Sequence, residues 1–365
     1  MSLQQENINI SRKTVLVAPL DLGLVHTTRC IPIITALLKH NFKVLIAAEG
    51  NSAHVLTKEF SDLQIIKLEG YRITYSRKKS FFNAKIFLQI PKIIKAIKRE
   101  HLWLVQQINE HKIDIVISDN RYGLYNTNIK SVFITHQLAV ETGNVFTNRF
   151  VQKLNYKFIN KFDTCWVPDG KTPNDLAGKL SNPQKLPTVP VNYIGNLSRF
   201  KKQESNKHID LLVLISGPEP QRTILENKLL SQMNELEYEM VLVRGLPGVD
   251  DKLSCYNKKI KTYNHLPAEE LGYVIQSSKI VVARSGYSTI MDLVALQQKA
   301  ILIPTPGQTE QEYLAEYLSE RKYFVAAKQS DFNLNKEIKK LENLPFVVMD
   351  SLLENKLEDA IIALK

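Results

Sequence analysis

Short apolar runs alternate with helix-period segments along most of the chain. Residues 15–18, 44–47, 113–118 and 132–135 form four such runs, the last two ending in polar residues. Runs this short predict strands buried on both faces, and the segments between them predict helices that cover a parallel sheet. The first helix is expected from about Thr27 to His40. The plan repeats in the second half, with strands over 211–215, 240–243, 280–283 and 300–303. Helices are expected from about Pro220, over 288–297 and over 308–319. The fold class is α/β, with two doubly wound Rossmann-like domains facing a cleft. The domains are read as 1–195 and 196–350, joined by a polar, non-periodic linker over 192–207. Residues 351–365 predict a helix that packs back on the first domain. Ligands of doubly wound sheets bind beyond the carboxyl ends of the strands, so the loops there are the ones to read.

In the second domain the richest loop follows the 280–283 strand. Ser285 and Gly286 make a tight turn, and Ser288, Thr289 and Asp292 follow on the next helix. Small residues admit a ligand to the backbone, and a helix N-terminus offers unpaired N–H groups to phosphate. Asp292 is suited to a ribose diol. A capped helix with no ligand fits the same residues. Ser216 and Gly217 end another strand, and Arg222 enters the helix after it, where its planar fork suits a diphosphate. His265 and Leu266 lie in a loop whose backbone can pair with a base edge. Gln308 and Gln311 open a helix after a Pro- and Gly-containing loop, a position suited to sugar hydroxyls.

In the first domain, Gly23, His26 and Arg29 follow the first strand. A histidine at the cleft mouth can deprotonate a hydroxyl, and it can equally cap the helix with Thr27 and Thr28. Asp119, Asn120 and Arg121 end a second strand, and His136 ends a third. Asp119 either orients His26 or serves as the base itself. His136 is a candidate for binding acceptor or donor phosphate.

The order of these loops resembles the donor-binding domain of GT-B glycosyltransferases of family 28, which includes the peptidoglycan N-acetylglucosaminyltransferase. In that family a Ser-Gly turn approaches the donor phosphates, and an acidic residue six positions after the Gly holds the ribose. Gly286 and Asp292 stand at those positions. A Gln pair that contacts the donor sugar is matched here by Gln311 and Glu312, so half is kept. The first-domain loop resembles a Gly-x-Gly-His-x-x-Arg stretch of related predicted enzymes, with Val25 where the second Gly is usual. The resemblance implies a hexosyltransferase acting on a nucleotide-sugar, a UDP-sugar by expectation, through metal-independent inverting displacement. It makes 1–195 the acceptor side and 196–350 the donor side, with a hexose or N-acetylhexosamine moved to a lipid-linked or other acceptor. An epimerase or hydrolase on the same fold, and a non-catalytic sugar-nucleotide or nucleic-acid binder, remain open alternatives.

Composition changes this picture in one respect. Hydrophobic residues make up 44% and charged residues 23% of 365 residues, which is ordinary for a globular protein, but the net charge is +11. An anionic partner is therefore expected. From Arg72 to Arg99 there are nine Lys/Arg and no acidic residue, interleaved with Phe and Ile. That stretch suits an anionic membrane surface or an amphipathic helix on its own sheet, with Pro91 expected to kink or restart the helix. Clustering beside apolar residues, rather than along a groove, argues against nucleic acid. Cys30, Cys165 and Cys255 have no zinc-ligand spacing, and no Asp-x-Asp triplet occurs, so neither metal nor cofactor is expected. The first twenty residues do not read as a signal peptide and no run of eighteen apolar residues occurs, so the expected location is cytoplasmic, peripheral at the inner membrane face.

Overall fold

The computed structural model describes residues 12–21, 24–72, 82–140, 145–251, 253–345, 347, 349–352 and 354–365. The first sheet contains β1 (Thr14–Pro19), β2 (Lys43–Ala48), β3 (Gln64–Lys67), β4 (Ile115–Asp119), β5 (Lys130–Ile134), β6 (Thr164–Val167) and β7 (Val191–Tyr193). All pairs are parallel, in the order β3-β2-β1-β4-β5-β6-β7. The second sheet contains β8 (Ile209–Leu214), β9 (Met240–Val243), β10 (Ile260–Tyr263), β11 (Ser278–Ala283), β12 (Ala300–Leu302) and β13 (Val325–Ala326). It is parallel too, in the order β10-β9-β8-β11-β12-β13. Both sheets reverse direction of winding beside their first strand. That reversal opens a crevice between β1 and β4 in one unit and between β8 and β11 in the other.

In each sheet the register ends the two strands that flank the crevice together. Pro19 lies opposite Asp119, and Leu214 opposite Ala283, so the loops that follow emerge side by side. The central strands are continuous apolar runs because helices cover both faces; every residue of β1 is buried. Helix α1 (Leu24–Lys39) buries Ile33, Ile34 and Leu37, spaced to share one face. It packs towards α7 (Tyr287–Ala295) of the second unit, and an apolar cluster runs from Val15 and Ile34 through to Tyr287 and Leu293. Each such side chain contributes about 1.5–3 kcal/mol when withdrawn from water.

Two expectations about the connections change. The segment read as a solvated linker begins inside β7, and Ile194, Asn196 and Leu197 are buried. The Asn196 amide donates to the Met291 carbonyl at 3.0 Å, which fixes this passage on α7. Residues 351–365 form a shorter helix, α10 (Leu357–Ile362), that lies against α1. Lys39 Nζ reaches Glu358 at 2.8 Å, and Lys130 Nζ donates to the Ala363 carbonyl at 2.9 Å. Gly195 and Asn355 pair as an antiparallel bridge where the two passages between the units meet. Helix α3 (Phe82–His111) runs through Pro91 without interruption. Among the described residues, no helix is long and apolar enough to cross a membrane.

Candidate functional site

His26 sits in the first turn of α1, and Asp119 is the last residue of β4. His26 Nδ1 lies 2.9 Å from Asp119 Oδ1. Arg29, one turn further along α1, donates from Nε to Asp119 Oδ2 at 2.9 Å and from Nη2 to Oδ1. Burial alone would push the Asp119 carboxyl up, but Arg29 and the His26 hydrogen bond outweigh it and bring it down to about 2. Asp119 is therefore a carboxylate, and a carboxylate only accepts. His26 Nδ1 must carry the proton it shares with Asp119, which leaves the Nε2 lone pair free. Arg29 Nη2 also lies 2.9 Å from His26 Nδ1, but with that nitrogen protonated its hydrogen goes to the carboxylate. Asp119 has no exposed surface, whereas His26 lines the cleft.

His136, after β5, bridges the two units. Arg29 Nη1 lies 3.0 Å from His136 Nδ1, and Glu310 Oε1 lies 2.7 Å from His136 Nε2. Arginine can only donate, so Nδ1 accepts and Nε2–H donates to Glu310. Burial lowers the imidazole's pKa against the pull of Glu310, which keeps it neutral and consistent with that tautomer. Its ring stacks on Tyr287, with centroids 4.1 Å apart and planes 2° apart. The Tyr287 hydroxyl donates to the Pro168 carbonyl at 2.8 Å.

Across the cleft, Ser216 and Gly217 follow β8, while Gly286 precedes α7. Gly217 has φ of +106°, which disfavours any side chain there. Ser288, Thr289 and Asp292 face the cleft from α7, and His265, Leu266, Gln308 and Gln311 line it from neighbouring loops. Asp292 accepts from Ser198 Oγ at 2.7 Å and lies 4.0 Å from Arg199 Nε. Burial raises its carboxyl to about 6 despite those two neighbours. Burial also lowers the His265 imidazole, reinforced by Arg199, Lys58 and His54. Gln311 is pinned, donating to Gln308 Oε1 at 2.6 Å and accepting from the Thr305 N–H at 2.9 Å.

The cleft encloses about 1220 Å³ between the two units. One wall is apolar: Ile90, Ile93, Ile94 and Ile97 from α3, with Phe150 and Leu154 from α4 (Val145–Ile159). Lys92, Lys95, Lys98 and Arg99 are exposed on α3. Four isoleucines of the basic stretch, at 90, 93, 94 and 97, thus face the cleft.

Comparison with known proteins bears on this arrangement. Residues 220–355 match the glycosyltransferase family 28 C-terminal domain. An uncharacterized glycosyltransferase of Methanosarcina acetivorans is 25% identical over 92% of this chain and 90% of its own. The protein is a glycosyltransferase of the GT-B fold. A further relative, from Bacillus licheniformis, is the UDP-N-acetylglucosamine–N-acetylmuramyl-(pentapeptide) pyrophosphoryl-undecaprenol N-acetylglucosamine transferase. It is 24% identical to this glycosyltransferase over 81% of this chain and 79% of its own. The crystal structure of Acinetobacter baumannii MurG shares the fold, with a TM-score of 0.57 at 14% identity over 97% of this chain and 99% of that one.

Several residues of this glycosyltransferase fall elsewhere than the sequence suggested. Arg222 does not line the cleft: its Nε meets Glu219 at 2.5 Å and its Nη2 meets Glu226 at 3.0 Å, so its fork is consumed within the domain. The Ser285 hydroxyl is buried and donates to the Gln311 carbonyl at 2.8 Å. Arg29 is buried beneath the site as the counter-charge of Asp119 instead of facing an acceptor. Arg121 is buried against Glu100 at 2.7 Å and the Pro19 carbonyl at 2.8 Å. Asn120, with φ of +56°, does line the cleft, whereas Gly23 lies outside the described residues. Glu310 and Tyr287 escaped the sequence reading. The partner of Glu310 is 174 positions away, so no local pattern marks it.

Proposed function

We propose that this glycosyltransferase moves a hexose or N-acetylhexosamine from a UDP-sugar to a hydroxyl acceptor by metal-independent inverting displacement. One observation carries the reading: His26, backed by Asp119, and the Gly217 and Gly286 turns border a single cleft. In the reaction, His26 Nε2 takes the acceptor's hydroxyl proton as the oxygen forms a bond to the anomeric carbon. The bond from that carbon to the diphosphate oxygen breaks on the opposite face, the electron pair leaves with the diphosphate, and configuration inverts. Asp119, out of reach of substrate, holds the Nδ1–H and steadies the imidazolium as it forms. The N-terminus of α7 and the Ser288 and Thr289 hydroxyls favour the charge that develops on the leaving group. Asp292 accepts from the ribose diol.

The apolar wall of α3 and α4 supports an acceptor with a hydrocarbon portion. The Bacillus licheniformis relative is named for a pyrophosphoryl-undecaprenol acceptor, and by analogy a lipid-linked acceptor at the inner membrane face is the reading we favour. The exposed lysines of α3 suit the anionic headgroups of such a surface.

A thermal-shift screen against nucleotides and nucleotide-sugars tests the donor, since a ligand of the native state raises the melting temperature. UDP and UDP-sugars are expected to stabilise the protein. His26→Ala is expected to lower turnover by about 100- to 10,000-fold while sparing donor affinity. Unchanged turnover would remove His26 as the base, and a rearranged or hydrolysed donor formed without acceptor would sink the transferase mechanism.

A further inference from the structure

Helix α8 (Thr309–Glu320) of the second unit lies across the joint with the first. Glu310, Tyr313 and Tyr317 are spaced three and four apart and share one side of it. The Lys179 N–H donates to Tyr313 Oη at 3.0 Å, and Tyr317 Oη donates to the Asp175 carboxylate at 3.1 Å. Arg321, directly after the helix, donates to the Pro173 carbonyl at 2.8 Å. One end of α8 is thus fastened to residues 173–179 of the first unit. The other end reaches the base, because Glu310 Oε1 accepts from His136 Nε2 at 2.7 Å.

From Glu310 the contacts run on in series. His136 Nδ1 accepts from Arg29 Nη1 at 3.0 Å, Arg29 Nε donates to Asp119 Oδ2 at 2.9 Å, and Asp119 Oδ1 lies 2.9 Å from His26 Nδ1. Each link fixes the next. A neutral imidazole carries one N–H, and Glu310 holds that hydrogen on Nε2, which leaves a lone pair on Nδ1 for Arg29. With the hydrogen on Nδ1 instead, two donors would face each other and the guanidinium would have to turn. Arg29 and His136 are 1% and 5% exposed, so solvent does not replace the lost bond. Tyr287 covers the face of the imidazole and offers no acceptor in its plane. Glu310 therefore selects the tautomer.

We infer that Glu310 is a positioning residue of the second unit that sets the His136 tautomer and, through Arg29 and Asp119, holds His26 ready as the base while α8 is seated on the first unit. The inference rests on the reading of His26 as the base and adds the residue across the cleft that prepares it. Gln308 and Gln311, which line the cleft, flank Glu310 in the same turn. A sugar held by those side chains bears on the turn that carries Glu310, so donor binding and preparation of the base meet there. Withdrawal of α8 removes the acceptor and releases the series from its far end.

Histidine labelled with nitrogen-15 gives a readout that needs no substrate, and His136→Asn and His26→Ala identify the two signals by their loss. In the wild type at pH 7 the His136 proton is expected on Nε2 and the shared proton of His26 on Nδ1. Glu310→Gln still accepts from Nε2–H and is expected to keep both. Glu310→Ala is expected to move the His136 proton onto Nδ1 in part of the molecules and to shift the His26 signal with it, which loss of a merely structural contact would not do. In turnover, Glu310→Ala is expected to lower kcat about tenfold at unchanged donor KM, and Glu310→Gln to stay within about twofold of wild type. Where Glu310→Ala does not fold, Glu310→Asp decides, since it keeps the charge, shortens the reach and should move both signals the same way. An unchanged His136 tautomer, a His26 signal that stays fixed while His136 changes, or a loss confined to KM would overturn the inference. Wild-type turnover in His26→Ala would instead defeat the base reading, and the nitrogen-15 signals of the Glu310 variants would still show whether Glu310 sets the tautomer.

Discussion

Asp119 is the common partner of Arg29 and His26, and Asp119→Asn is the change that exposes what that pairing contributes. The carboxylate is fully buried and is held by the Arg29 guanidinium and by His26. Its pKa falls from 3.8 to about 2, which corresponds to about 2 kcal/mol of stability at neutral pH. An amide also strands the Arg29 cation in the interior, which raises the expected loss towards about 5 kcal/mol. The assay is urea unfolding at pH 7, followed by tryptophan fluorescence, to which Trp166, buried in β6 of the same sheet, and Trp103 of α3 contribute. The sign with pH is fixed. A depressed carboxyl contributes fully above its ordinary value of 3.8 and loses that contribution as pH falls towards 2. Wild type should therefore lose stability between about pH 4 and pH 2 more steeply than Asp119→Asn does. The double variant Arg29→Met with Asp119→Leu removes both charges and should cost less than the two single changes together, by about 2 kcal/mol or more. A single-variant loss under about 0.5 kcal/mol, with additive effects in the double variant, would refute the assignment of Arg29 and Asp119 as a buried, mutually dependent pair.

Other expectations follow from the remaining partners. Arg222→Gln should leave UDP affinity within about twofold and lower stability by about 1–3 kcal/mol, because Glu226 loses a donor; titration and melting measure the two. Asp292, raised to about 6, holds a proton in the folded protein that the unfolded chain releases, so its contribution to stability falls as pH rises from 3.8 to about 6. Nucleotide affinity follows the folded carboxyl alone and should rise with pH around 6, as the carboxylate becomes available to the ribose; UDP titrations at pH 5 and pH 7 should lose this contrast in Asp292→Asn. Glu310→Ala leaves the buried His136 Nε2–H without its acceptor and should lower the melting temperature, while Glu310→Gln, which still accepts, should retain most of it.

The sheets were legible because their central strands are uninterrupted apolar runs: 15–18, 240–243 and 280–283 each lie within an observed strand. Most of the missed strands, β3, β7, β10 and β13, lie at sheet edges and lack that signal, whereas β6 is interior and buried but offers only three apolar residues in a row. β3 reads Gln-Ile-Ile-Lys and is only partly buried, and β13 has two residues. In such edge strands, neighbours in space supply the pattern that the sequence omits. Loop positions around the cleft were readable, since strand ends and small residues mark them. Side-chain allegiance was harder. Glu226 stands four after Arg222, a spacing that already favours ion pairing on a helix. That pairing was present in the chain, but its meaning depends on burial. The inward turn of Arg29 and the His136–Glu310 contact depend on packing between distant segments and leave no local mark.

The chain passes between its two units twice, and the passages are fastened to each other at Gly195 and Asn355. Two tethers joined at one spot restrict how the units can move relative to one another more than a single loose tether would. Backbone carbonyls set how closely the tethers approach: a side chain at position 195 would bring its Cβ within 1.7 Å of the Glu354 carbonyl oxygen. A substitution at Gly195 should therefore disturb the joint between the units, although the residue lies outside the lining of the cleft.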